Sequence, residues 1–291
     1  MASIEFFERG EGFRVGPKEV NRTEKKNKEH QQTRKEKRML TTQTHEKLQA
    51  LQLKGMLRGL TEQEDNETIQ AMDFMERFSF LVDREFLERE NRRLQTRLQK
   101  AHLRQQACCE DINYRHVRGL DKTLMQTLTT CEWIQKHRNV IITGPTGVGK
   151  SYLSCALGHR ACLEGYRVYY VRSSQLFQEL AIGRGDGRYA RMMKMLSKTH
   201  LLIIDDWGLT PLEKTERMDL LEVLEDRMNR GSTLFTSQLP LEHWHEVIGH
   251  PTLADAILDR LVHNAYKMKL GGDTMRRPEQ EEQLTKTQEK D

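Results

Sequence analysis

The segment Gly144-Pro145-Thr146-Gly147-Val148-Gly149-Lys150-Ser151 holds the most specific chemistry in this 291-residue chain. Its glycines permit a tight turn whose backbone N–H groups converge on an anion. Lys150 supplies a point charge for β- and γ-phosphates, and the Ser151 hydroxyl is a hard ligand for Mg2+. Tyr152 follows in the first turn of a helix whose N-terminal dipole favours phosphate. The flanks are those the motif requires, with the apolar run Asn139–Thr143 before it and a helical pattern after it. Positions 144–152 are therefore expected to cradle the phosphates of ATP.

A second run, Leu201-Leu202-Ile203-Ile204-Asp205-Asp206, buries four apolar residues and delivers carboxylates at the C-terminal end of a strand. That end is where open α/β sheets bind ligands. Asp205 is expected to join Ser151 in holding Mg2+. Asp206 either polarises an attacking water or caps the turn at Trp207-Gly208. Thr236-Ser237-Gln238 closes a later strand, where a polar side chain can lie between the second carboxylate and the γ-phosphate. Arg260, preceded by Asp259, lies late in a helix. It is read either as a cation reaching a neighbouring subunit's nucleotide or as one half of an intrachain ion pair.

The elements that position these residues follow from periodicity. Nearly continuous apolar strands are expected at Asn139–Thr143, Arg167–Val171, His200–Asp205, Ser232–Ser237 and Tyr266–Leu270. Helical patterns separate them, at Lys150–Glu164, Ser174–Ile182, Tyr189–Lys198, Glu213–Asn229 and Thr252–Ala265. Such alternation predicts an α/β domain with a parallel sheet covered by helices on both faces. Upstream, Leu48, Leu51, Leu57 and Leu60 recur near helical spacing, as do Phe74, Phe78, Leu81 and Val82. Thr61 with Glu64 is a possible helix cap. A third helix is expected from Asp83 to about Gln106. The division is 1–38 disordered or extraneous, 39–106 a small all-α domain, 107–277 the α/β domain and 278–291 a polar tail.

Net charge is only +4, but nine Lys/Arg stand against four Glu between Lys18 and Arg38. Seven stand against three between Arg84 and Arg104. These clusters, with the basic loop Gly183–Arg188, suit a nucleic-acid backbone or are simply solvated. Arg92, Arg93, Arg97, Arg184 and Arg188 are the expected DNA contacts. The five cysteines lack metal-ligand spacing, and a disulfide framework is not expected. His243 and His245 flank Trp244 at a spacing that does not face both imidazoles one way on a helix. Met192, Met193 and Met195 read as packing residues. With no membrane-length apolar run and no signal-peptide pattern, a soluble cytoplasmic protein is expected.

With these motifs stand LKGML at 53–57, RENRRLQTRLQKAHL at 89–103, RGLD at 118–121, SCALGHRAC at 154–162, GDGRY at 185–189, TSQLP at 236–240, ADAILDRLVHNA at 254–265 and GGDTMRR at 271–277. From about Met39 to Arg277 the chain resembles the IstB-like transposition helper ATPases, relatives of DnaC-type helicase loaders in the AAA+ class of P-loop NTPases. The resemblance implies an ATPase that binds duplex DNA with little sequence preference, assembles into an oligomer on it and recruits a cognate transposase. It implies that Gln238 is the sensor of the γ-phosphate, where relatives often carry Asn, and that Arg260 is the arginine finger. A helicase loader is the alternative reading. The helical lid common in the class is not expected here.

Overall fold

The computed structural model describes residues 39–275 together with positions 32, 35 and 36. The expectations for the basic cluster at 18–38 and the tail at 278–291 otherwise lie outside the described residues. The described chain forms two compact units that divide inside one helix, between Asn91 and Arg92. The sequence had placed this boundary after 106.

The first unit is helical: α1 (39–50), α2 (Lys54–Glu64), the short α3 (Glu67–Gln70) and the first part of α4 (Phe74–Ala101). Two glycines explain how α2 approaches α4. A Cβ on Gly55 would lie 2.4 Å from the Arg84 carbonyl oxygen, and one on Gly59 would press on Leu81. Backbone contact this close leaves Glu85 beside the start of α2, whose own N-cap, Leu53, has no side chain to offer. Glu85 Oε2 accepts from the Gly55 amide at 2.8 Å and the Met56 amide at 3.3 Å, while Oε1 accepts from Arg89 Nε at 2.7 Å. A residue 30 positions away thus caps α2.

Two helical expectations are corrected. The apolar sets around Phe78 and Leu87 belong to one 28-residue helix, not to two joined at Asp83. No Gly or Pro interrupts the run, and its start is capped by Asp73, which accepts from the Met75 amide while Glu76 accepts from the Asp73 amide. Thr61 does not open a helix. It lies inside α2, and its hydroxyl donates to the Leu57 carbonyl.

In the second unit, α5 (Lys122–Thr129) and α6 (Glu132–Gln135) lead into β1 (Asn139–Thr143) and α7 (Lys150–Leu163). There follow β2 (Val168–Arg172), α8 (Ser173–Asp186), α9 (Tyr189–Lys198), β3 (Leu201–Trp207), α10 (Lys214–Arg227) and β4 (Ser232–Ser237). A 3-10 turn at Leu241–His243, α11 (Trp244–Ile248), α12 (Pro251–Val262) and β5 (Ala265–Lys269) complete it. The five strands are all parallel, in the order β2-β3-β4-β1-β5. This is the expected parallel α/β sheet of a P-loop NTPase.

The apolar strands read as they do because both faces are covered. Val140, Ile142, Leu201 and Ile203 enter one core with α7 and with Leu94 and Leu98 of α4. Ile141, Leu202, Ile204 and Phe235 enter the other, beneath α8 to α12. Cys155 and Cys162 share the first core, as their spacing predicts. Buried Met193 lies in the second with Met192 against it, whereas Met195 is partly exposed. Trp244 is also buried there, against Trp207 and Phe235, so His243 and His245 flank a core residue.

The basic loop at 183–188 is corrected in part. Gly183 to Asp186 form the last turn of α8, and only Gly187 and Arg188 link it to α9. Gly183 is buried against Met192 and Tyr189, and Gly187 ends the helix with φ +81°.

Candidate nucleotide-binding site

The phosphate loop spans from β1 to α7, at the C-terminal edge of the sheet. Gly144 has φ +151°, and a Cβ there would sit 2.4 Å from the Leu270 carbonyl oxygen. Gly149 is the N-cap of α7 with φ +91°, a conformation that strains any residue with a side chain. Lys150 is buried and donates to the Gly144 and Pro145 carbonyls at 2.7 and 2.8 Å. Its ammonium is thereby folded over the loop it is expected to serve. Residues of this loop line a cavity of about 640 Å³, shared with Arg104, Asp111, Asn113, Arg118, Asp206 and Gln238.

Asp205 is wholly buried, yet its carboxylate is well provided with donors. The Ser151 hydroxyl donates to Oδ1 at 3.0 Å, the Thr236 hydroxyl donates to the same oxygen, and the Tyr170 hydroxyl donates to Oδ2 at 2.5 Å. Burial and then the Asp205 contact push the Tyr170 phenol well above its ordinary pKa, so it stays a donor. The sheet builds this cluster. Register brings Arg172 opposite Asp205, leaving Tyr170 two residues back on the same face of β2. β4 delivers Thr236. An oxygen pair of one hydroxyl and one carboxylate suits a hard divalent cation, so the residues present fit Mg2+.

Asp206 breaks the regular geometry of β3 from within. The β3–β4 register shifts between Ile204 and Trp207, and Asp206 takes φ +58°. Its amide is tied to the Thr236 hydroxyl at 3.1 Å, and its carbonyl accepts from Ser173. Its carboxylate stands 3.8 Å from Arg172 and 3.9 Å from Arg104 and lines the cleft. Such a bulge re-aims a side chain. At the opposite wall the Thr146 hydroxyl donates to Gln238 Oε1 at 2.8 Å, so the expected sensor touches the phosphate loop.

Arg260 lies elsewhere. It is on α12, and its carbonyl accepts from Asn139 at the start of β1, one strand length (roughly 15 Å) from the loop at the other end. Its guanidinium pairs with Glu225 at 2.8 Å, rather than with the neighbouring aspartates, and donates to the Ala256 carbonyl.

Of the expected DNA contacts, Arg92 and Arg93 are exposed on α4. Arg97 Nε donates to the Cys162 carbonyl at 2.9 Å. Arg184 is committed to Asp219 through both terminal nitrogens and stacks over Tyr189. Arg188 pairs with Asp186 at 2.6 Å.

Three site residues were not legible as such in the sequence. Tyr170 becomes an Asp205 partner only through strand pairing. Arg118, in the quoted RGLD segment, is 2% exposed and has no carboxylate partner among the described residues. It donates to the Val148 carbonyl at 2.8 Å and to the Asn113 carbonyl at 3.3 Å. Arg104 was counted only as part of a basic cluster.

Among the described residues no helix is long and apolar enough to cross a membrane. The sequence model of the family described as IstB-like ATP binding protein matches residues 46–283. An insertion sequence ATP-binding protein of Sinorhizobium fredii, y4pL, is 50% identical over 239 residues, covering 82% of this chain and 98% of that one. The IS1162 ATP-binding protein of Pseudomonas fluorescens is 44% identical over 203 residues, 69% of this chain and 88% of that one. Among solved structures, DnaI aligns with a TM-score of 0.49 at 20% identity, over 59% of this chain and 91% of that one. The phosphate loop, the buried carboxylate beside it and the match over most of the chain lead to one conclusion: this protein belongs to the IstB-like ATP-binding family.

Proposed function

We propose that this protein is an ATP-hydrolysing helper of DNA transposition, which assembles on duplex DNA in its ATP-bound form and engages a transposase there. The observation that carries the reading is the Ser151 hydroxyl set on the buried Asp205 carboxylate at the open end of the phosphate loop. The relatives' association with insertion sequences supplies the biological setting.

In this reading the loop amides and Lys150 hold the phosphates, and Ser151 and Asp205 hold Mg2+, which neutralises phosphate charge. Tyr170 and Thr236 keep Asp205 aimed. Asp206, re-aimed by the bulge in β3, polarises the attacking water. Gln238, in contact with Thr146, responds to the γ-phosphate. Arg260 is too far from its own cleft to act there. It is available to the nucleotide of a neighbouring subunit once it leaves Glu225. Arg92, Arg93, Arg97 and Arg188 are the proposed DNA contacts. Arg184 contributes only if its pairing with the buried Asp219 opens.

The test is binding to random-sequence duplex DNA with ATP, ADP or no nucleotide, for the wild type and Lys150→Ala. Cooperative binding that needs ATP and is lost in the variant is the expected result. Equal binding in every nucleotide state, or none to duplex, overturns this mechanism and favours a helicase loader.

A further inference from the structure

The cleft holds more positive charge than the phosphate loop supplies. Lys150 belongs to the loop, and Arg118 donates to the Val148 carbonyl of the same loop. Arg104 stands at the end marked by the acidic pair, 3.9 Å from Asp205 Oδ2 and 3.9 Å from Asp206 Oδ2. Because Ser151 and Asp205 mark the cation-holding end, this is where a third phosphate would lie.

The chain holds Arg104 there firmly. Helix α4 ends at the fully buried Ala101. His102 then takes φ +51° and meets the Tyr169 ring edge-on at 5.7 Å. Leu103 packs into the first core, and Ala107 is buried there too. Arg104 is thus a partly exposed side chain on an anchored backbone, 42% accessible and turned into the cleft.

We propose that Arg104 is a phosphate-binding residue that distinguishes a nucleoside triphosphate from a diphosphate, a role that rests on the nucleotide reading above. A divalent cation on Asp205 replaces attraction toward Arg104 by repulsion between two cations. A γ-phosphate restores a second anionic partner beside the guanidinium, whereas ADP leaves it facing Asp206 alone. Charge-assisted bonds of this kind are among the stronger polar contacts. Since Arg104 follows α4 by three residues, the same contact ties γ-phosphate occupancy to the segment carrying Arg97, itself pinned to α7.

The experiment is equilibrium binding of a non-hydrolysable ATP analogue and of ADP, each with Mg2+, to the full chain and to Arg104→Ala, Arg104→Lys and Lys150→Ala. Arg104→Ala is expected to weaken the triphosphate roughly tenfold and ADP by less than about twofold. Arg104→Lys should recover part of that loss, because charge is kept but the planar fork is not. Equal loss of both ligands, or loss of neither, overturns the proposal. If Lys150→Ala binds both as the wild type does, the nucleotide reading itself fails and this one with it.

Discussion

At the residue scale, Asp205 shows how a buried charge is retained in this core. Three hydroxyls, from Ser151, Thr236 and Tyr170, donate to an otherwise enclosed carboxylate. An unpartnered buried carboxylate would carry a cost of several kcal/mol. Asp205→Asn keeps the shape while removing the anion, so ATP hydrolysis should fall by about a hundredfold or more, with the fold kept. Circular dichroism and a phosphate-release assay check both halves. Tyr170→Phe removes one donor, and its expected effect is milder. A loss of about 1–2 kcal/mol in unfolding free energy is expected, measurable by urea titration.

At the element scale, the helical unit depends on two features of α2 and α4. Gly55→Ala places a Cβ against the Arg84 carbonyl at 2.4 Å, with backbone on both sides and no flexible group to yield. Loss of the α2–α4 contact is expected, by about 2 kcal/mol or more, read as faster amide exchange through α2. Glu85 adds a pH dependence. Burial raises its pKa, but the bonds from Arg89 and from the Met56 and Gly55 amides outweigh burial and hold it below the ordinary value of 4.5. A depressed folded pKa contributes stability that is present above the unfolded value and lost as pH falls through the folded one. The helical unit should therefore loosen below about pH 4.5, and Glu85→Gln should reduce that acid response.

At the scale of the whole molecule, Arg227 and Arg260 illustrate two uses of arginine at the N-terminal edge of the sheet. Arg227 is 1% exposed and has no carboxylate partner among the described residues. It donates to the carbonyls of Leu196, Thr199 and Ser232 and to Thr233, joining the ends of α9, β3 and β4. Burial pulls its pKa down to about 9. Arg227→Met leaves those carbonyls without donors and should destabilise the α/β unit by about 3 kcal/mol, seen as a lowered melting temperature. Arg260 retains a solvent-accessible partner and is the residue proposed to act between subunits. Mixing inactive Lys150→Ala with inactive Arg260→Ala should restore ATPase activity, since about a quarter of randomly formed interfaces then contain both groups. No recovery, with mixed oligomers demonstrated, would refute action in trans.

Much of this architecture is legible in the sequence. Strand–loop–helix logic places the glycine-rich turn correctly between β1 and α7 because its glycines, lysine and serine fall within eight successive positions, and local geometry is all such a turn needs. β1 falls around its apolar run Val140–Ile142, as a strand buried on both faces does, whereas β4 buries all six positions although four of them are serine or threonine. The long α4 was split at Asp83 because a polar residue that can cap a helix looks the same when it lies inside one. The last turn of α8 was missed because glycines at 183 and 185 favour turns locally, while burial of Gly183 against Met192 and Tyr189 overrides that preference.

What the sequence by itself determined is therefore local: the glycine-rich turn between strand and helix, the acidic strand end and the alternation of strands and helices. What only the tertiary structure decided is partnership. Tyr170 on Asp205, Glu85 capping α2, Arg184 held by Asp219 and Arg104 beside the acidic pair each join residues at least 30 positions apart. Such pairings depend on strand register and helix packing, which are set by the shape of the whole core and leave no fixed spacing in the chain.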